Sequence, residues 1–445
     1  MILIGNGRLI TRNSNNDFYE NGAVVIDGKK IIDVGEYNLL KEKYKGAEFI
    51  DAKNKLIMPS YINCHEHIYS AFARGLQIKK YNPNGFLDIL NGLWWTIDRN
   101  LTLHDIYLSA MATFIDSIKC GVTTTFDHHA SFGSIIGSLK EIEKARIETG
   151  MRACLCYEIS DRDGMDKSKE SVLENIDFIK YVINDKSDMV KAMMGMHAQF
   201  TISDETFKFA MENKPKEVGV HIHVAEGIED LQDSLNKHGK RIVDRLYDFG
   251  VLSEKTLLAH CIYVNEHEMD LIRDTNTMVV HNPESNMGNA CGCPPVMRMM
   301  EKGIVCGLGT DGYTHDMLES YKVANILHKH HLCNPNAAWS EVPKMLFENN
   351  RIIANRYFDN KLGVIENGAF ADIIIVDYNP LTPMNKDNVN SHIVFGISGR
   401  DTITTICSGK VLMKDKILLT VDEKKVMEEC RMAAKELGER INSGK

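Results

Sequence analysis

Leu56-Ile57-Met58-Pro59-Ser60-Tyr61-Ile62-Asn63-Cys64-His65-Glu66-His67 is an apolar run that ends in two histidines one residue apart. Alternate residues of an extended strand share a face, so His65 and His67 point the same way and Glu66 points the other. A helical zinc motif would need its histidines four apart. The run therefore reads as a buried strand that delivers two imidazoles at its C-terminal end, a metal-binding arrangement.

Outward from this strand, short apolar and often β-branched runs recur with helical patterns between them. They are Leu56 to Cys64, Val122 to Phe126, Arg152 to Tyr157, Ala192 to Met196, Val218 to His223, Thr256 to His260, Thr277 to Val280 and Ile304 to Gly309. Repeated βα units of this kind predict a parallel sheet. Eight of them over about 300 residues predict a closed (β/α)8 TIM-type barrel, of class α/β, with catalytic groups at the C-terminal strand ends. The barrel is expected over residues 57–359. Its strand ends are polar: His65 and His67, then Asp127-His128-His129, Glu158, His197, His223 with Glu226 just beyond, His260, His281 and Asp311. For His129 and His281 the plainer reading is a hydrogen-bonded histidine near the barrel mouth.

Two flanking segments differ in character. Residues 1–56 hold two strands around the Asp27-Gly28 turn, and residues 360–419 hold Ala371 to Asp377 and Ile403 to Val411, again with glycine punctuation. Neither segment is large enough to bury a core alone, so the chain ends are expected to meet in one composite β-sandwich beside the barrel. Residues 420–445 read as a closing helix that covers the body, with Thr420 to Glu423 as a capping box and Val426, Cys430, Ala434, Leu437 and Ile441 as the apolar stripe.

The 445 residues are 44% apolar and 25% charged, the composition of an ordinary globular protein. A formal charge of −9 without a Lys/Arg block lacks the electrostatic footprint of a nucleic-acid binder and leaves a small molecule as the expected partner. The N-terminus has no basic segment followed by a long apolar one, and no apolar run approaches the roughly 20 residues of a membrane helix. No membrane association, a cytoplasmic location and a homo-oligomer, a dimer, are the expectations. The 11 cysteines are scattered and read as reduced thiols, with Cys154/Cys156 as small buried side chains and Cys291/Cys293 in a loop.

A rim carrying His65, His67, His223 and Asp311 offers three imidazoles and a carboxylate, a set suited to one zinc ion, or to iron, with water in the open position. Such a site makes hydroxide near neutral pH and needs no nucleophilic side chain. Glu226 follows the fifth strand and can act as general base and then general acid. Asp311 can bind metal and accept a hydrogen bond from the hydroxide, and His260 can orient the water or donate to a developing oxyanion. His221 shares the inward face with His223. Asp127, His128, Glu158 and His197 can bind the edges of a substrate. Phe72, Trp94 and Trp95 offer either a stacking wall or helix packing.

The segments Pro59 to His67, Gly121-Val122-Thr123-Thr124-Thr125, His223-Val224-Ala225-Glu226, Leu258-Ala259-His260, His281-Asn282-Pro283-Glu284-Ser285-Asn286 and Leu308-Gly309-Thr310-Asp311-Gly312 resemble the amidohydrolase superfamily. The resemblance spans the chain and is closest to its cytosine, guanine and adenosine-analogue deaminases and triazine hydrolases. It extends to the aminohydrolase group found with selenium-dependent purine-oxidising enzymes. It implies that His65, His67, His223 and Asp311 hold one divalent metal, that Glu226 shuttles protons, that His260 assists the hydroxide, and that His197 contacts substrate. Cys64 stands where the family commonly has a small residue, and Gln199 where a proline often follows. The binuclear branch needs a carboxylated lysine at the end of strand four, where this chain has His197; Lys191 lies at the opposite end. The implied reaction is deamination of an amino-substituted nitrogen heterocycle, a purine or related ring, with release of ammonia. The alternatives are a triazine-type or guanidino C–N hydrolase, or a non-catalytic purine- or metal-binding barrel in a larger complex.

Overall fold

The computed structural model describes residues 1–443 and supplies the eight expected barrel strands in two parallel sheets. The first sheet joins Tyr61–Glu66, Val122–His129, Arg152–Tyr157 and Val190–Ala192. The second joins Met194–Ala198, Val220–Val224, Leu257–His260, Met278–His281 and Cys306–Leu308. Isolated bridges from Ile159 to Met196 and from Glu66 to Asp311 link the two sheets at both edges. The strand order thus returns to its start, the connectivity of a (β/α)8 barrel. Strand four is divided at Met193: its first half pairs with strand three and its second half with strand five. Apart from Lys191 and Ala192 the barrel strands are buried throughout, because helices cover the outer face of a parallel sheet.

The opening apolar run is two strands rather than one. Leu56–Pro59 pairs antiparallel with Ile373–Val376 and parallel with Ile2–Ile10, outside the barrel. The chain changes sheets at Ser60, whose N–H donates to the Asp372 carbonyl at 3.1 Å, while the next N–H, from Tyr61, donates to Gly121 at 2.9 Å. Both halves are buried, so hydropathy runs straight through the break. Strands from both chain ends share one nine-stranded sheet. Leu9, Val24, Ile57, Ile373 and Ile375 contribute to its own apolar cluster.

The last helix, Glu423–Ser443, buries Cys430, Ala433 and Leu437 and packs on helix Leu103–Lys119, where Arg440 meets Asp105 at 2.5 Å. Its cap differs from the expected box. Asp422 accepts from the Lys425 N–H at 3.1 Å, whereas the Thr420 hydroxyl has no partner. An aspartate next to the first helical residue both caps the free N–H groups and complements the helix dipole. All eleven cysteines are unpaired. Among the described residues no helix is long and apolar enough to cross a membrane.

Candidate active site

The strand ends bring three imidazoles and a carboxylate together. His67 Nε2 stands 3.2 Å from His223 Nε2 and 3.4 Å from Asp311 Oδ1. His65 Nε2 is 4.0 Å from Asp311 Oδ2. Donor atoms of His65, His67 and His223 lie within 4.8 Å of one another, as do those of His65, His260 and Asp311. Two ligands on a tetrahedral zinc ion stand about 3.3 Å apart, so these separations suit one central cation.

Tautomers strengthen the fit. The Nδ1–H of His67 donates to the His128 carbonyl at 2.6 Å, and that of His223 to the His197 carbonyl at 2.9 Å. A neutral imidazole carries one proton, so both Nε2 atoms present lone pairs to each other across 3.2 Å. That contact is repulsive without a cation between them. His65 Nδ1 is 2.9 Å from His221 Nε2, which leaves its buried Nε2 without a hydrogen-bond partner. Burial holds all three histidines below their ordinary pKa, and the neutral ring is the metal-binding form. The four donors fit one divalent metal ion. Lys191 is paired with Asp188 and Asp359, and offers no bridge to a second.

Glu226 and His260 stand against this cluster. His260 Nε2 is 3.4 Å from Glu226 Oε2 and 3.3 Å from Asp311 Oδ2, and its Nδ1–H donates to Asn286 Oδ1 at 2.8 Å. Burial, and then the Asp311 charge, push the Glu226 carboxyl well above the usual carboxylate range. A carboxyl shifted this way binds a proton more tightly than a free one, as a proton carrier must. The backbone is strained where these side chains emerge: Ala225, His260, Cys261 and Asp311 have φ of 51°, 73°, 52° and 55°. Each costs roughly 1–3 kcal/mol outside glycine and persists only where the surroundings enforce it. Glu66 faces away, as its parity requires, and accepts from Asn63 at 3.1 Å and from Thr125.

A cavity of about 30 Å³ opens on the cluster, walled by Tyr69, Leu90, Trp94, Trp95, Glu158, His197 and Asn289 along with the metal-side residues. Of the expected substrate contacts, His197 and Glu158 reach it, and Asp127 and His128 do not. Asp127 is buried behind the first strand, where Oδ1 accepts from the Ile68 N–H at 2.8 Å. His128 lies 3.0 Å from the Met196 carbonyl, because its position in strand two faces the barrel interior below the mouth. Neither Asp127 nor His128 lines this cavity. Phe72 is also outside the cavity, in the main core, whereas Trp94 and Trp95 line it. His129 and His281 are the hydrogen-bonded histidines expected, with Ser131 at 3.0 Å and His328 at 3.1 Å as partners.

Sequence reasoning gave no role to His221, Tyr69, Leu90, Asn286 or Asn289. For His221 the signal was present, since it shares strand parity with His223. Burial pushes Glu158 up to about 8 and Asp98 to about 7, against the opposing pull of Arg162. Arg162 lies 2.5 Å from Asp98 and 3.3 Å from Glu158.

Residues 56–412 match the amidohydrolase family. The chain is 31% identical over 453 residues to the 5'-deoxyadenosine deaminase of Methanosarcina mazei, covering 99% of each. It is 31% identical over 419 residues to the 5-methylthioadenosine/S-adenosylhomocysteine deaminase of Thermococcus sibiricus, covering 93% of this chain and 94% of that one. Among solved structures, a zinc-bound adenosine deaminase from Xanthomonas campestris superposes with a TM-score of 0.86 at 19% identity, covering 98% of both chains. A zinc-complexed atrazine chlorohydrolase from Arthrobacter aurescens superposes at 0.82 with 21% identity, covering 98% of this chain and all of the other. These two likenesses concern the fold. With the family match running through the whole barrel and a 31% identical relative covering nearly all of the chain, the protein belongs to the amidohydrolase family.

Proposed function

We propose that the protein is a mononuclear, zinc-dependent deaminase of a 6-aminopurine nucleoside or closely related aminopurine, converting the ring C–NH2 and water to C=O and ammonia. The observation that carries this reading is the placement of Glu226 and His260 beside a four-donor set: His260 Nε2 lies 3.4 Å from Glu226 and 3.3 Å from Asp311. A binding module has no need of a proton carrier at that point. Relatives named for 5'-deoxyadenosine and 5-methylthioadenosine/S-adenosylhomocysteine support the substrate class.

His65, His67, His223 and Asp311 are the ligands in this reading. When bound, a divalent ion would make a water at this point acidic enough to lose a proton near neutral pH. Glu226 is placed to take one proton from the attacking water and deliver it to the ring nitrogen next to the amine-bearing carbon, while the water's second proton leaves with the amine as ammonia. His260 and Asp311 hold the attacking oxygen in line, a fixed electrostatic role. His197 and Glu158 bind the polar edge of the ring, and Trp95 flanks its face. One wall of the cavity is the helical segment carrying Leu90, Trp94 and Trp95. Its Leu90–Trp94 portion is a π-turn, a form common at functional sites.

The test is ammonia release by zinc-loaded protein from 5'-deoxyadenosine, 5'-methylthioadenosine, adenosine, guanine and a triazine. Turnover confined to the first three supports the proposal. Release from guanine or the triazine alone, or from none, overturns the substrate class.

A further inference from the structure

A chain of buried polar side chains runs from His260 away from the cavity, and the deamination steps use only its inner end. The amide oxygen of Asn286 accepts from His260 Nδ1–H at 2.8 Å. The Asn286 amide nitrogen stands 3.4 Å from His281 Nδ1. His281 Nε2 and His328 Nε2 are 3.1 Å apart, and His328 Nδ1 lies 3.6 Å from Cys293 Sγ. These residues come from strand six, helix Pro283–Gly288, strand seven, helix Met317–His331 and, for Cys293, the loop that follows helix Pro283–Gly288. All but Cys293 are fully or almost fully buried.

The donors and acceptors run one way. Asn286 spends its oxygen on His260 and offers N–H to His281 Nδ1. His281 then carries its proton on Nε2 and donates to His328 Nε2, and His328 carries its own on Nδ1, toward Cys293. Each proton meets one acceptor. Burial keeps both histidines below their ordinary pKa, His328 at about 4, so both are neutral at pH 7, as this pattern requires. Polar groups this deep contribute nothing to packing that an aliphatic residue would not, and they are costly unless every member is satisfied. His260 has a φ of 73°, and its Nδ1–H donates its one hydrogen bond to Asn286 at 2.8 Å, so the orientation of Asn286 bears on that of the ring.

We propose that His281 and His328 are positioning residues for deamination, bracing Asn286 so that the His260 ring stays aimed at Glu226 and Asp311. The proposal rests on the function given above. Its test is His328→Phe beside His328→Gln, both zinc-loaded, with kinetics, metal content, melting temperature and exchange of the His260 Nδ1 proton by NMR, assigned by its loss in His260→Gln. In H328F we expect kcat to fall about tenfold, with KM within about twofold, one metal retained, and at least about tenfold faster exchange of that proton. H328Q keeps a donor and an acceptor at the same reach and should recover most of kcat. H328F with native kcat and native exchange overturns the brace, and so does loss of metal with a matching rise in KM. If H328F does not fold, His328→Asn, too short to reach His281, decides by the same readouts. If no substrate is turned over, the function reading fails, while the exchange rate still judges the brace.

Discussion

Replacing Glu226 with glutamine removes one titratable proton and little else. The Asn289 amide meets Glu226 Oε1 at 3.4 Å, a contact that the glutamine oxygen keeps. Glutamine matches the carboxyl in size and keeps one acceptor oxygen for Asn289, so melting temperature should stay within a few degrees. Glu226 belongs to none of the potential metal-holding groups, so metal content should be unchanged. Positioned proton transfer is worth about 10²–10⁴ in rate, or roughly 3–5 kcal/mol at 1.36 kcal/mol per decade. His260 remains 3.4 Å from the altered side chain and can carry part of the load, so we expect kcat to fall about 10³-fold. Ammonia release at saturating substrate, with metal analysis on the same sample, measures both quantities. Turnover within about tenfold of the native protein, with metal intact, refutes the role of Glu226. Loss of metal instead makes Glu226 a ligand.

Other consequences follow from the same geometry. His65→Asn or His223→Asn should reduce bound metal from one per chain to a small fraction by elemental analysis; stoichiometric metal in either removes that residue from the ligand set. Chelation should lower the melting temperature and zinc should restore it, since metal at about 1,000 times its Kd stabilises by roughly 4 kcal/mol; a zinc-insensitive transition contradicts a single folded-state site. Trp95→Ala should raise KM about tenfold with a smaller change in kcat, as expected for a lost stacking face, and an unchanged KM places the ring elsewhere. Burial raises Glu158 from 4.5 to about 8, so the folded state binds its proton more tightly than the unfolded chain. The stability it lends is full below pH 4.5 and lost as pH rises through about 8. Glu158→Gln should therefore match the native protein at pH 5 and exceed it by a few kcal/mol at pH 9, by denaturant titration; an equal difference at both pH values contradicts that proton uptake.

What the chain's pattern disclosed and what it hid divide along a physical line. The eight strands and the convergence of His65, His67, His223 and Asp311 were legible because a period of two fixes which face a side chain takes, and because a barrel puts all C-terminal strand ends at one rim. Parity alone also separates Glu66 from its flanking histidines. The strand breaks at Ser60 and Met193 were not legible. Each interrupts a run that stays buried on both sides, and hydropathy reports burial, not the identity of the pairing partner. His128 falls short of the cavity for a related reason. Strand two runs on to His129, so its polar end begins inside the barrel, and depth along a strand leaves no mark in residue type. The wall formed by Leu90, Trp94 and Trp95 is harder still, because a helical apolar stripe reads the same whether it packs on a core or over a cavity. In the proposed function, substrate selection rests on these features, the depth of each polar side chain and the helical segment that lines the cavity. A sequence that states its metal chemistry plainly can therefore leave its substrate to be settled by side chains such as Glu158 and Trp95, which no motif singles out.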